Sequence, residues 1–498
     1  MGVLSVCTIE GSGRQRRLAF ADGAAFRGHR ACRVDPFRLI YRLQRRRYGV
    51  ANELVANEPR LGYFYDGDDA TPTTAAQLVS TDDGGAVLSI AWEDRSDAGR
   101  VFERWFGGGT TMWADDPERT GYRYDVPRLL DFADANGRVA LIGCHRGSST
   151  SGGSAGLGVG RIRVDYAVLG AWNAADYAEI NGMRSEIAGL GDWVGLTSIE
   201  QTRHTEGNRL KRAVFTLESP ESIPVPGVDG LSLRPSFQYG DGTAPDQTIL
   251  TDRIYVETQY SDPAPWEQHL TIHGGIRELI AVAAWSPRHF LSHRVQRDGD
   301  GLRTQDGKEH GPEWREVITN RTRIAASARP DRRRRPLFTF ATIGADGVAT
   351  WLHLRETKKR GIGPIVALLD AESTHIETGM AQMGIGLEAL GYSLAVDAGF
   401  SKGKSDGLTL EQRLSHIIAD CRVDLPFSGE EWAERTARVY NSVKHADRPA
   451  EDSLDILNCY RECSIVFRAW LAGRLGADPV ILRQNLQYDP SITPYLWD

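Results

Sequence analysis

Between residues 51 and 260 apolar and polar positions alternate in short runs. In Arg161-Ile162-Arg163-Val164-Asp165-Tyr166 every second side chain falls on one face, the period of a β-strand with one side turned inward. Runs rich in β-branched and apolar residues recur at 86–92, 139–144, 162–169, 213–217 and 249–260. Turn chemistry separates them: Asp83-Gly84-Gly85, Asn136-Gly137 and Asp241-Gly242. This pattern predicts a mainly antiparallel β domain. From 263 to about 285 the period lengthens, and Trp266, Leu270, Ile272, Ile276, Leu279, Ile280 and Val282 predict a helix, with Gly274-Gly275 interrupting it at about 1 kcal/mol per glycine.

Some way past Pro336 the chain reads as helical. Residues 365–399 form one long apolar-rich run. Residues 409–421 follow, with Leu410, Leu414, Ile417 and Ile418 at i, i+4, i+7 and i+8. Ser428 stands three residues before Glu431, the spacing of a capping box, and opens a helix reaching about His445. Pro449 suits the first turn of a last long helix, 451–475, which Gly476 can end in the left-handed conformation. The fold class expected is therefore α+β: a mainly antiparallel β domain followed by an all-α bundle. The break between them falls at Arg329-Pro330-Asp331, the arginine run 332–335 and Pro336, a solvated linker by composition. The organisation expected is a basic extension at 1–50, a β-rich domain at 51–335 and a helical domain at 336–498.

Composition changes this picture little. With 498 residues, 41% hydrophobic and 25% charged, the chain is ordinary globular material. Its longest apolar stretch, 279–285, is far below the ~20 residues that cross a bilayer. Six scattered cysteines do not make a disulfide framework, so a soluble cytoplasmic protein is expected. Charge is unevenly spread. Residues 1–50 hold eleven arginines against three acids, a loosely ordered basic tail, whereas 361–498 hold twelve basic against twenty acidic residues.

One helix carries the candidate chemistry: Arg438-Val439-Tyr440-Asn441-Ser442-Val443-Lys444-His445, followed by Arg448. At about 100° per residue, Arg438 and His445 leave the same face two turns apart, with Asn441 and Lys444 between them. Such a set suits metal-free cleavage of RNA. The attacking 2′-hydroxyl must lose a proton and the leaving 5′-oxygen must gain one, and a histidine titrating near neutrality can do either. A forked, permanently charged arginine holds the phosphoryl oxygens as charge builds. Asn441 is placed to orient the imidazole or the phosphate, and Lys444 and Arg448 to follow the RNA backbone. The same residues also fit a plain structural account, with Arg438 paired to Glu434 one turn back and a cation at the helix C-terminus.

Residues 424–449 (DLPFSGEEWAERTARVYNSVKHADRP) resemble the motif region of the Apea-like HEPN family. Its hallmark is an arginine followed, after four to six residues, by a histidine; Arg438 and His445 match with six. Val439 stands where many members carry a polar residue, and the asparagine stands instead at Asn441. Residues 336–355 resemble the start of the same domain. Residues 61–109 and 139–195 are similar to the N-terminal region of ApeA-type proteins, so that the resemblance spans about 51–498. It implies a HEPN bundle, metal-independent endoribonuclease activity in anti-phage defence by abortive infection, and an RNA target such as tRNA. It also implies a homodimer or higher homo-oligomer in which the motifs of two protomers line one cleft, an N-terminal domain that senses a phage trigger or restrains the nuclease, and no cofactor. Two alternatives stay open: a catalytically inactive HEPN module that dimerises or binds RNA, and an antitoxin-like partner of a nucleotidyltransferase.

Other patterns read as structure. His269/His273 and His289/His293 are each four apart, but no HExxH pattern accompanies them, and packed or exposed imidazoles are expected rather than a metal site. Cys459 and Cys463 read as buried thiols. The glycines of 156–160 lack the Gly-Lys-Ser/Thr of a phosphate loop and read as a flexible loop.

Overall fold

The structure, a computed structural model, describes residues 7–10 and 52–496 except 94–96, 108–112, 151–155, 172, 243, 245, 304–307, 323–334 and 372–374. The basic extension at 1–50 lies outside these apart from strand Cys7–Glu10, which joins Ile199–Glu206 and Arg209–Leu217 in a small three-stranded sheet. Most of the linker expected around 329–336 also lies outside the described residues.

The N-terminal region is built on one sheet of 14 strands. From edge to edge these are Ile223–Pro224, Leu231–Asp241, Thr248–Pro265, Glu179–Ile187, Phe290–Gln296, Arg315–Ile318, Tyr166–Leu169, Gly137–Ile142, Leu129–Asp134, Arg60–Tyr65, Ala75–Ser80, Ala86–Glu93, Leu157–Val164 and His145–Thr150. Every strand pair in it is antiparallel, as the alternation predicts. The 162–169 run is two strands rather than one, turning at Asp165. The supposed loop at 156–160 is also strand from Leu157. Its glycines have a packing reason: a Cβ on Gly158 would stand 2.2 Å from the Trp92 ring and one on Gly160 2.1 Å from Phe106, two rings stacked at 5.4 Å.

Helix α1, Asp97–Phe106, lays Phe102, Trp105 and Phe106 on one face of this sheet, against Phe64, Trp92 and Phe132. Within Gly137–Ile142, residues 139–142 are buried on both faces. Val139 and Leu141 join that core, while Ala140 and Ile142 join a second one with Tyr166, Tyr177 and Trp266. This is why its sequence is continuously apolar rather than alternating.

After the short helix α2, Leu190–Val194, comes α3, Trp266–Ala284, the strut between the sheet and the helices that follow. Its glycine pair does not interrupt it. A Cβ on Gly275 would stand 2.5 Å from Leu352, and the Gly275 carbonyl accepts from Trp351 Nε1 at 2.7 Å, so the missing side chain is what lets the next helix approach. The N-terminal half of α3 is tied to the sheet by a chain of buried polar groups. His269 Nε2–H donates to the Ile180 carbonyl (3.1 Å), which leaves its Nδ1 to accept from Thr258 Oγ (2.6 Å). Thr258 Oγ accepts from His273 Nε2 (3.0 Å), and His273 Nδ1 accepts from Ser185 Oγ (2.5 Å). Ser185 Oγ accepts from His293 Nδ1 (2.7 Å). The chain ends at His293 Nε2, a buried acceptor with no partner among the described residues. Its direction requires His269 and His273 to be neutral, since the Nδ1 of each accepts. Burial agrees: it pushes His269 down to about 4, His293 to about 3, and His273, beside both, well below the usual histidine value.

The helical region comprises α4 (Phe340–Thr357), α5 (Lys359–Asp370), α6 (Ile376–Asp397), α7 (Lys402–Asp406), α8 (Leu410–Asp420), α9 (Gly429–Lys444), α10 (Ser453–Arg474) and α11 (Pro479–Gln487). The apolar run at 365–399 is thus split between α5 and α6. Pro449 precedes the last long helix instead of opening it; Asp452 is the N-cap, accepting from Leu454 N at 2.8 Å. The C-terminal half of α3 docks here. Arg277 and Asp370 form a bidentate pair (2.6 and 2.7 Å), and Arg355 grips Glu278. Arg468 of α10, 1% exposed, donates to the Ala283 carbonyl (2.9 Å) and pairs with buried Asp489 (2.8 Å). One apolar core runs without a break from Leu233 and Val256 in the sheet, through Ile276 and Leu279 of α3, to Trp351, Trp432 and Trp470. Among the described residues no helix is long and apolar enough to cross a membrane.

Candidate active site

Helix α9 starts where Ser428 Oγ accepts from Glu431 N (3.3 Å), with Glu430 and Glu431 facing the positive end of the helix dipole. Trp432, Ala433, Thr436, Val439 and Tyr440 form its buried face. Tyr440 lies against Gly384 of α6, where a Cβ would fall 2.2 Å from the ring. Gly384→Ala should therefore shift Tyr440 and the end of α9, at a cost of about 1–3 kcal/mol measured by urea unfolding. Beneath the helix, Thr436 Oγ reaches the free, fully buried thiols of Cys459 and Cys463 (3.5 and 3.6 Å).

With that face inward, Arg438 points outward and is 58% exposed. Its partner is not Glu434. Arg438 Nη1 donates to both oxygens of Glu451 (2.6 and 2.7 Å), on the segment joining α9 to α10, and Glu451 is itself only 15% exposed. Asn441 is half-buried; Lys444, His445 and Arg448 are exposed. Lys444 Nζ sits 5.3 Å from the centre of the Tyr440 ring, a cation–π contact.

His445 departs from the helical extrapolation. Its N–H closes the last helical bond, to Asn441 O at 3.0 Å, but its own backbone is extended (φ −120°, ψ 111°), so it caps the helix instead of continuing it. The constant 100° step therefore fails at its last residue. The chain turns immediately, Arg448 N bonding to His445 O at 3.0 Å, and leads on to Glu451. Among the described residues the imidazole makes no hydrogen bond to a side chain. The arrangement is an outward-facing guanidinium, an uncommitted imidazole and two further cations at one end of one helix. Glu451 is the residue that sequence reasoning missed, since local helix rules look only three or four positions along the chain. Among the described residues no group of three or more His, Cys, Asp or Glu side chains could hold a metal ion.

A sheet-based region feeding a compact helical bundle with an exposed Arg/His helix end is the class of protein this geometry defines. Residues 59–353 match the ApeA N-terminal domain 1 family, and residues 391–479, which include Arg438 and His445, match the Apea-like HEPN family. The chain belongs to the ApeA-type HEPN family. No curated protein and no solved structure matches it.

Proposed function

We propose that this chain is an anti-phage defence endoribonuclease that cleaves RNA without a metal, using Arg438 and His445. The observation that carries the reading is that both side chains are exposed, Arg438 in the C-terminal half of α9 and His445 at its C-cap, inside the HEPN match, with the imidazole uncommitted. In the reaction, the 2′-oxygen attacks the adjacent phosphorus and the bond from phosphorus to the 5′-oxygen breaks. This leaves a 2′,3′-cyclic phosphate and a 5′-hydroxyl. His445 takes the proton from the 2′-hydroxyl or delivers one to the leaving oxygen. Arg438 holds the non-bridging oxygens, whose charge grows on the way to the transition state. Lys444 and Arg448 track neighbouring phosphates, and Asn441 orients the reacting groups. A homodimer with two such helix ends in one cleft supplies both acid and base, one imidazole for each. The N-terminal sheet region is the sensor for a phage protein, tRNA is the substrate favoured, and the cytoplasm is the place of action.

The test is purified wild type against Arg438→Ala and His445→Ala, with cleavage of total tRNA as the readout. Each variant should lose at least about 100-fold in rate. Circular dichroism of each variant separates a lost fold from a lost activity, Arg438→Ala in particular because it also removes the partner of Glu451. Full activity in either variant rules the assignment out. RNA binding that survives both substitutions, with no cleavage by wild type in vitro or in infected cells, favours the inactive HEPN module instead.

A further inference from the structure

Glu451 has no part in the family motif and no place in the reaction above, yet it makes the one contact to the Arg438 guanidinium found among the described residues. The two partners are unequal. Arg438 is a long side chain, 58% exposed. Glu451 is 15% exposed, and its backbone immediately precedes Asp452, the N-cap that fixes the start of α10. A side chain withdrawn that far from water has fewer rotamers open to it than one standing in solvent. Glu451 is therefore the anchor and Arg438 the group being oriented. The contact is also one-sided, since both carboxylate oxygens converge on Nη1. That leaves the opposite edge of the fork, Nη2–H and Nε–H, for an incoming anion, and this pair of parallel donors is the geometry that grips two phosphoryl oxygens at once. The same segment begins at His445. One stretch of chain thus sets the imidazole and, six residues later, the guanidinium.

We propose that Glu451 is a positioning residue for Arg438: it fixes Nη1 so that the Nη2/Nε edge faces the scissile phosphate. This rests on the nuclease reading. An unanchored arginine on a helix surface samples many rotamers, and each wrongly aimed one contributes nothing at the transition state. The effect therefore belongs mainly in kcat, because Lys444 and Arg448 still supply ground-state attraction to RNA.

The experiment measures initial rates of RNA cleavage against RNA concentration for the full-length chain and four variants: Glu451→Ala, Glu451→Gln, Arg438→Ala and the Arg438→Ala/Glu451→Ala double. Glu451→Ala should lower kcat by about 10- to 100-fold with KM within about threefold of wild type. Glu451→Gln keeps an oxygen acceptor for Nη1 and should recover most of kcat. With Arg438 already gone, removing Glu451 should cost nothing more, the mark of two groups acting as one. A Glu451→Ala variant as active as wild type, or more active, overturns the proposal, the latter because the pair would then be a restraint. A further loss in the double variant overturns it too, because Glu451 would then act through the fold. Cleavage abolished by Arg438→Ala but untouched by Glu451→Ala defeats this proposal alone. Cleavage untouched by Arg438→Ala defeats the nuclease assignment and this proposal with it.

Discussion

Arg468→Ala is expected to destabilise the folded chain by about 3–5 kcal/mol, the range for removing one partner of a buried ion pair. The guanidinium is 1% exposed and its partner Asp489 3%, and the pair is 2.8 Å apart. Burial alone would push the Asp489 carboxyl up; the charge and hydrogen bond of Arg468, with the Ser491 N–H, overcome that and hold it low. Removing the cation leaves that carboxylate in the interior without its counter-charge, with the Ser491 N–H still bonded to it. It also strips a donor from the Ala283 carbonyl, so α10 loses its polar tie to the end of α3. The measurement is equilibrium unfolding in urea, followed by tryptophan fluorescence. Asp489→Ala should cost a similar amount. An apolar double replacement, Arg468→Met with Asp489→Leu, should recover much of the loss, because the penalty comes from the stranded charge and not from missing volume. A loss below about 1 kcal/mol in the single variant would mean that water reaches the pair after all.

Acidification should weaken the fold well before ordinary carboxylates titrate. The three histidines of the sheet–α3 chain are neutral when folded, His269 down at about 4 and His293 at about 3, with His273 also lowered; all regain their usual value near 6.5 on unfolding. Between pH 6.5 and 4 the unfolded chain therefore binds protons that the folded chain refuses, and stability falls as pH falls. Each histidine contributes up to about 1.4 kcal/mol per pH unit, so three together approach about 4 kcal/mol per unit in the middle of that range, about pH 5–5.5, where the unfolded rings are protonated and the folded ones are not. Carboxylates held low, such as Asp134, Asp300 and Asp489, lose their contribution only below about 4, outside this window. Asp131, raised by burial, works in the opposite sense but is one group against three. Urea midpoints from pH 7 to 4.5 read the slope, and His269→Gln should flatten it by about one third. A midpoint that does not move over that range would show that the rings accept protons in place.

Much of the helical region was legible because its signals are local. The cap at Ser428, the extent of α9 to about His445 and the α10 termination near Gly476 depend on residues within a turn or two of each other. Glu451 as the partner of Arg438 was not legible, because it depends on the chain turning at His445, where helical geometry stops. The histidines show the same limit. Their i, i+4 spacing places His269 and His273 on one face of α3, but the hydroxyls between the rings come from strands, Ser185 lying 88 residues from His273. Strand existence could be read from alternation, strand order could not: Arg315–Ile318 pairs with Tyr166–Leu169 across about 150 residues. The glycines at 158 and 160 were misread for a related reason, since what they accommodate, Trp92 and Phe106, is remote in sequence.

The unbroken core through α3 bears on how such proteins diversify. A recombination breakpoint at the arginine-rich connection would graft the C-terminal helices onto a new partner without the helix that seats Trp351 and receives Arg468. Viable chimeras would have to carry α3 along, together with a surface able to cover its histidine-bearing half. Swapping of the HEPN helices among unrelated N-terminal regions is therefore constrained by a helix that lies on the far side of the obvious seam.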